Sequence, residues 1–274
     1  MTRVWLRQTA AVIGLEWKKS FLSRRGWWVY LLALAPVGLS LLHTTVAGRI
    51  TWRHHTLAQD TEMFAGLYQI YFLRLGIFFG CLGIFSNLFR GEMLEKTLHY
   101  YFLTPVRREL LVLGKFLAGL AAALVIFEAS TVASFLIWSQ HQGAVFHDFV
   151  WHGAGAAQLG WYAAVTGLAC VGYGAVFLLA GLLIRNPMIP AAAVFVWENL
   201  NPFLPPLLKK VSVIFYLKSL SPVAVPVPPR LAIWVVSADP TPVWLAVPGL
   251  LAVSLALLTY AAVSARRAQI SYGE

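Results

Sequence analysis

From residue 159 to residue 184 the chain carries no charged side chain. That run is longer than the about 20 residues with which an α-helix crosses the bilayer core. Runs of the same kind recur at about 27–47, 65–89, 111–138 and 243–264, the second broken by Arg74 and the third by Glu128. A weaker run lies at about 188–204, where Glu198, Asn199, Asn201 and Pro202 interrupt the apolar pattern. Of 274 residues, 59% are hydrophobic and 12% charged, whereas a soluble domain has about a quarter of its residues charged. The expectation is an all-α integral membrane protein: one domain, 1–274, with six transmembrane helices, or five if 188–204 only re-enters the membrane.

A net charge of +10 fits either nucleic-acid binding or basic flanks on membrane helices. Placement decides for the membrane: Lys and Arg cluster beside the apolar runs, and no basic reading face for nucleic acid is seen. With both termini cytoplasmic, fourteen basic residues fall inside, among them Arg24, Arg25, Arg90, Arg107, Arg108, Arg185, Arg266 and Arg267, against six outside. That asymmetry follows the preference of Lys and Arg for cytoplasmic loops. Trp27 and Trp28 mark the inner end of the first span and Trp138 the outer end of the third, as expected of interfacial tryptophans. Residues 1–26 mix Trp5, Leu6, Val12, Ile13, Leu15 and Trp17 with basic side chains, the composition of an amphipathic elbow helix in the inner interface. A plain cytoplasmic tail is the alternative. The charges persist to Arg25, which does not suit a cleavable signal. Small residues repeat every four positions at Gly114, Ala118 and Ala122, and at Cys170 and Gly174, a spacing that lets helix backbones approach.

The segment 90–115 reads RGEMLEKTLHYYFLTPVRRELLVLGK. Good helix formers and a Glu92–Lys96 pair at i,i+4 predict a short helix over 91–101, with a solvated loop as the alternative. Thr104 suits an N-cap and Pro105 the first helical position of the next span. The run Glu95-Lys96-Thr97-Leu98, then Thr104-Pro105 with Arg107 or Arg108, then Gly114-Lys115, resembles the ABC-2 family of transporter permeases. The elbow, the spans and the long outer segment 205–242 are similar too. One departure is Lys96, where many members have glycine.

The resemblance implies that 90–104 is a coupling loop docking on a separate cytoplasmic ABC ATPase subunit, which would bind ATP and Mg. The contact residues it points to are Glu92, Met93, Leu94, Glu95, Lys96, Thr97, Leu98, Tyr101 and Arg107. It further implies a second permease copy or a paralogue, membrane lipids around both, and location in a bacterial cytoplasmic (inner) membrane. The chain has no G-x-x-x-x-G-K-[ST] phosphate loop of its own, so it is expected to be neither an ATPase nor a cofactor binder.

Arg74, Glu128 and Glu198 are ionisable groups inside apolar runs; such groups pair or face a cavity. Counted along their spans, Arg74 and Glu128 sit about 20–25 Å from the inner surface. Arg74 is expected to pair with one of the carboxylates, or all three to line a substrate path. His141, His147, Asp148 and His152, and His54, His55 and Asp60, have irregular spacing, and no metal centre is expected. Residues 207–220 suit the outer interface. Two other functions fit the same composition: a membrane-integral enzyme or assembly factor, and a proton-coupled secondary transporter relaying through Arg74 and the carboxylates.

Overall fold

The computed structural model describes residues 2–22, 26–49, 56–97, 107–225 and 241–267. Among them every regular element is helical. Helix α1 (Thr2–Leu22) precedes α2 (Trp27–Arg49). The next element is a continuous rod made of α3 (Leu57–Leu67), a π-helical stretch (Tyr68–Gly76) and α4 (Ile77–Leu94). Then come α5 (Arg108–Trp138), a 3-10 turn (Gln140–Gln142), α6 (Ala144–His152) and α7 (Gly155–Leu183). The chain continues through α8 (Met188–Leu200), a 3-10 turn (Asn201–Phe203), α9 (Pro206–Lys209), α10 (Val213–Ser219) and α11 (Val243–Arg267).

Five segments are long and apolar enough to cross a membrane: Trp27–Val46, Leu57–Leu94, Arg108–Gln142, Gly155–Leu183 and Val243–Arg267. They match the five stronger runs of the sequence. The sixth expected span is not one continuous helix. Helix α8 has 13 residues, about 20 Å at 1.5 Å per residue, short of the about 30 Å hydrocarbon core. Asn201-Pro202 ends it, because proline has no N–H to continue the ladder. The chain then turns and enters α10, whose Val213, Ile214 and Leu217 are buried. Val213 packs against Gly172 in the middle of α7. Within 207–220, Leu207 and Val211 stay exposed, while Val213, Ile214, Leu217 and Leu220 are buried in the bundle. Residues 226–240, within the expected outer segment 205–242, are outside the described residues.

The centre of the bundle is where the α3–α4 rod meets α7. Phe78 packs edge-on against Tyr173 and Phe177, and Phe85 lies against Gly174. At Gly181 a Cβ would stand 2.7 Å from the Ser86 carbonyl oxygen, so the two backbones approach as closely as glycine permits. Around this pair lie α5, then α2 and α11, whose outward faces expose Leu31, Leu34, Leu42, Leu251 and Leu255. An apolar exterior over a buried aromatic core suits a lipid solvent, and the chain is a multi-pass membrane protein. The end of the bundle carrying Arg90, Arg107, Arg108 and Arg266 is called the basic end below.

Candidate functional site

At the basic end α4 stops in a Schellman motif. The Thr97 N–H donates to the Glu92 carbonyl and the Lys96 N–H to the Met93 carbonyl, while Lys96 takes φ 55°. This left-handed position is usually glycine, because a Cβ there is crowded by the following carbonyl. Helix α4 ends at Leu94 and a tight turn at 95–97 interrupts the helix expected over 91–101; Leu98, Tyr101, Thr104 and Pro105 fall outside the described residues. Leu94 (62% exposed), Glu95 and Lys96 face outward, and Met93 and Thr97 are half-buried.

Glu92 does the opposite of what a docking residue needs. It is buried and forms an ion pair with Lys115 at 2.9 Å. Lys115, 0% exposed, also pairs with Glu16 of α1 at 2.5 Å. Its ammonium lies 5.4 Å from the Phe89 ring centroid. One cation between two carboxylates ties the elbow helix, the end of α4 and the start of α5 into one knot. Glu92 turns inward because a buried ammonium is tolerated only when paired, and Glu92 at the end of α4 pairs with Lys115. Next to Lys115, Gly114 admits Val12 of α1; a Cβ there would stand 2.8 Å from Val12 Cγ1.

The other end of the loop is fastened as firmly. The Arg107 guanidinium sits 4.8 Å from the Trp5 ring centroid. Arg108 donates to the carbonyls of Ala265 and Arg266 at the end of α11, and Arg266 pairs with Glu109. The two described ends of the 95–107 loop are therefore anchored to α1, α4, α5 and α11.

Within the bundle Arg74 and Glu198 lie within electrostatic reach of each other without a direct ion pair among the described residues, and Glu128 stands apart. Arg74 donates to Asn199 Oδ1 at 3.1 Å and forms no ion pair with either carboxylate among the described residues, contrary to the pairing expected. Glu198 is engaged elsewhere. Its carboxylate accepts from Ser212 Oγ at 2.8 Å and from the backbone N–H groups of Val213 (3.0 Å) and Ile214 (2.8 Å). Those are the orphan donors at the start of α10. Glu128 faces Gly167 of α7, and its Oε2 is buried without a hydrogen bond. Arg74 also lies nearer the basic end than counting predicts. Tyr71 donates to the Leu32 carbonyl, and Gly83 packs on Trp28. Arg74, nine residues before Gly83 on the same rod, is thus about 13 Å from the level of Trp28. The count misleads because α4 continues well past that tryptophan.

At the opposite end, the histidine cluster expected around 141–152 splits. His152 pairs only with Asp148, both exposed. His141 instead turns to Asp60 of α3, where His43 of α2 joins it. His43 escaped the sequence reading because it lies inside an apolar run with no acidic neighbour. His54 and His55 are outside the described residues.

With this geometry in hand, comparison with protein families gives a match over residues 12–201 to the family described as ABC-2 family transporter protein. The matched stretch takes in most of α1, the knot, the anchored loop and all of α8. Comparison with curated proteins finds no match.

Proposed function

We propose, because this chain belongs to the ABC-2 transporter family, that it is the membrane-spanning permease subunit of an ATP-driven exporter. In this reading both termini and the basic end face the cytoplasm of a bacterium, in its inner membrane. A separate ABC ATPase subunit binds ATP and Mg and docks on the loop, and a second copy or a paralogue completes the pathway. The chain itself performs no chemistry.

The observation that carries the reading is the anchored loop. Its exposed turn at Leu94, Glu95 and Lys96 is held at one end by the Glu16–Lys115–Glu92 knot and at the other by Arg107 on Trp5. A push on that turn reaches α1, α4 and α5 together, which suits the relay of ATP-driven motion into alternating or lateral access. The six crossings expected are retained with a discontinuous fifth. Helices α8 and α10 follow one another in the same direction: Phe195 packs on Phe78 and Phe79, then Asn199 on Arg74, and later Ser221 meets Gln69. Half-helices with a polar break are how membrane proteins carry irregular backbone through lipid, lining a path or buried in protein. Substrate contact by Arg74, Glu128 and Glu198 belongs to this reading.

The test is purification of the tagged chain from native membranes. An ATPase is expected to co-purify, and its ATP hydrolysis to change when the chain is present. The substitutions L94D, E95K and K96E together are expected to release it while leaving the permease folded. Retention of the ATPase by that variant, or transport that follows a proton gradient and ignores ATP, would overturn the proposal.

A further inference from the structure

Far from the coupling loop, three side chains from three elements converge at the other end of the bundle. We propose that His43, Asp60 and His141 form a binding site for a divalent first-row transition-metal ion, with solvent completing the coordination. The ligand atoms of the three residues all lie within 4.8 Å of one another. His141 Nε2 is 3.0 Å from Asp60 Oδ2, and His43 Nε2 is 3.7 Å from Asp60 Oδ1. Metal–ligand bonds of about 2.0–2.1 Å at tetrahedral angles set the ligand atoms about 3.4 Å apart. The two observed spacings bracket that separation.

The surroundings fix the ligands before an ion arrives. The His43 ring is stacked on Trp138, centroids 3.9 Å apart and 4° from parallel. Trp138 Nε1 in turn donates to the Asp60 backbone carbonyl at 3.0 Å. Gln142 Nε2 donates to Asp60 Oδ2 at 2.8 Å, and the His141 N–H donates to Thr44 Oγ1 at 3.1 Å. Such supports orient the rings and carboxylate of a metal site. A capping box at Thr56 and Gln59 sets the start of α3, which fixes the direction in which Asp60 leaves the helix.

Asp60 is the telling group. It is 0% exposed, its Oδ2 is held by Gln142, and its Oδ1 has no hydrogen-bond donor. A buried carboxylate left partly unsatisfied is costly. One proton shared with His141 would answer the 3.0 Å contact and leave the 3.7 Å gap to His43 unfilled. A cation at the centre answers all three. Two imidazoles with one carboxylate select zinc and its first-row neighbours over magnesium or calcium, which take oxygen ligands. The ion would join α2, the α3–α4 rod and the 3-10 turn that follows α5, three elements that the sequence separates widely.

The probe is zinc chloride, titrated into the chelator-stripped full chain in lipid nanodiscs against a chromophoric zinc indicator, with the unfolding midpoint followed in parallel. One zinc per chain is expected, with a rise in the midpoint. D60N keeps the size of the side chain and H141Q keeps a polar group; each is expected to weaken binding at least 100-fold and to abolish the rise. His54, His55, His147 and His152 stay in every variant, so zinc held by scattered imidazoles is common to all of them. Equal zinc binding by wild type and by D60N/H141Q overturns the proposal, as does equal stabilisation by magnesium or calcium. It is also overturned if zinc has no effect while acidification alone stabilises wild type and not D60N, which would make the cluster a proton latch.

Discussion

Replacing Lys115 by methionine is the sharpest test of the knot at the basic end. The substitution keeps the length and apolar stem of the side chain and removes the positive charge that pairs with both Glu16 and Glu92, two buried carboxylates. Breaking a buried ion pair by deleting one partner costs about 3–5 kcal/mol. At 1.4 kcal/mol per factor of ten, the docking of α1 on α5 is expected to weaken roughly 100- to 1,000-fold or more. Amide hydrogen exchange of residues 8–16 in nanodiscs reads that local opening directly. The triple variant E16Q/K115M/E92Q removes both stranded charges and is expected to recover most of the protection, since an uncharged replacement of a buried ionic cluster is often neutral or stabilising. Unchanged exchange in K115M would refute the reasoning. So would a triple variant as labile as the single one, because the damage would then come from shape and not from charge.

Other outcomes follow from single contacts. K96G removes the Cβ from a left-handed residue and is expected to stabilise the end of α4 by about 1–2 kcal/mol, seen as slower exchange at Thr97. E198Q keeps one acceptor but loses charge-assisted bonds to the start of α10. A loss of about 1.5–3 kcal/mol is expected, measured as a lower unfolding midpoint with α10 the first element to exchange. R74A takes away the donor to Asn199 while Glu198 keeps its three hydrogen bonds to Ser212, Val213 and Ile214, so the chain is expected to fold and assemble normally. Failure to assemble would give Arg74 a structural weight that its single amide contact does not supply.

The spans themselves were readable because each satisfies one rule along its own length: twenty apolar residues, tryptophans at the ends, basic flanks. Helicity at the start of the chain agrees with its mix of apolar and basic side chains, and Gly114 announced a close approach that Val12 fills. The knot was not. Glu16 and Lys115 are 99 positions apart, and no local pattern distinguishes a lysine that will be buried from the basic residues around it. Glu92 looked like a surface residue of an amphipathic helix, and only the third dimension turns it inward. The break after α8 was half readable. Asn201 and Pro202 signalled an end to α8, but the use of Glu198 to cap α10 needs residues 14 to 16 positions further on. Lys96 is the reverse case. It stood out only as a departure from the family pattern, and its φ of 55° shows that the turn is made at this position even without glycine.

The π-helical stretch Tyr68–Gly76 has a consequence for how this chain tolerates change in length. Along the α3–α4 rod the buried residues Asp60, Phe64, Tyr68 and Phe72 step by four, as do Ile77, Cys81, Phe85 and Phe89. Between Phe72 and Ile77 the step is five, and there the Ile77 N–H bonds back to the Phe72 carbonyl. A π turn is an α-helix that has taken in one surplus residue. Every other crossing would rotate half its side chains by about 100° if one residue were lost. In this rod the surplus is already present. Deleting one residue between Phe72 and Ile77 would restore an unbroken step of four and leave both halves facing α7, so the length of the rod is adjustable at this one place and fixed elsewhere.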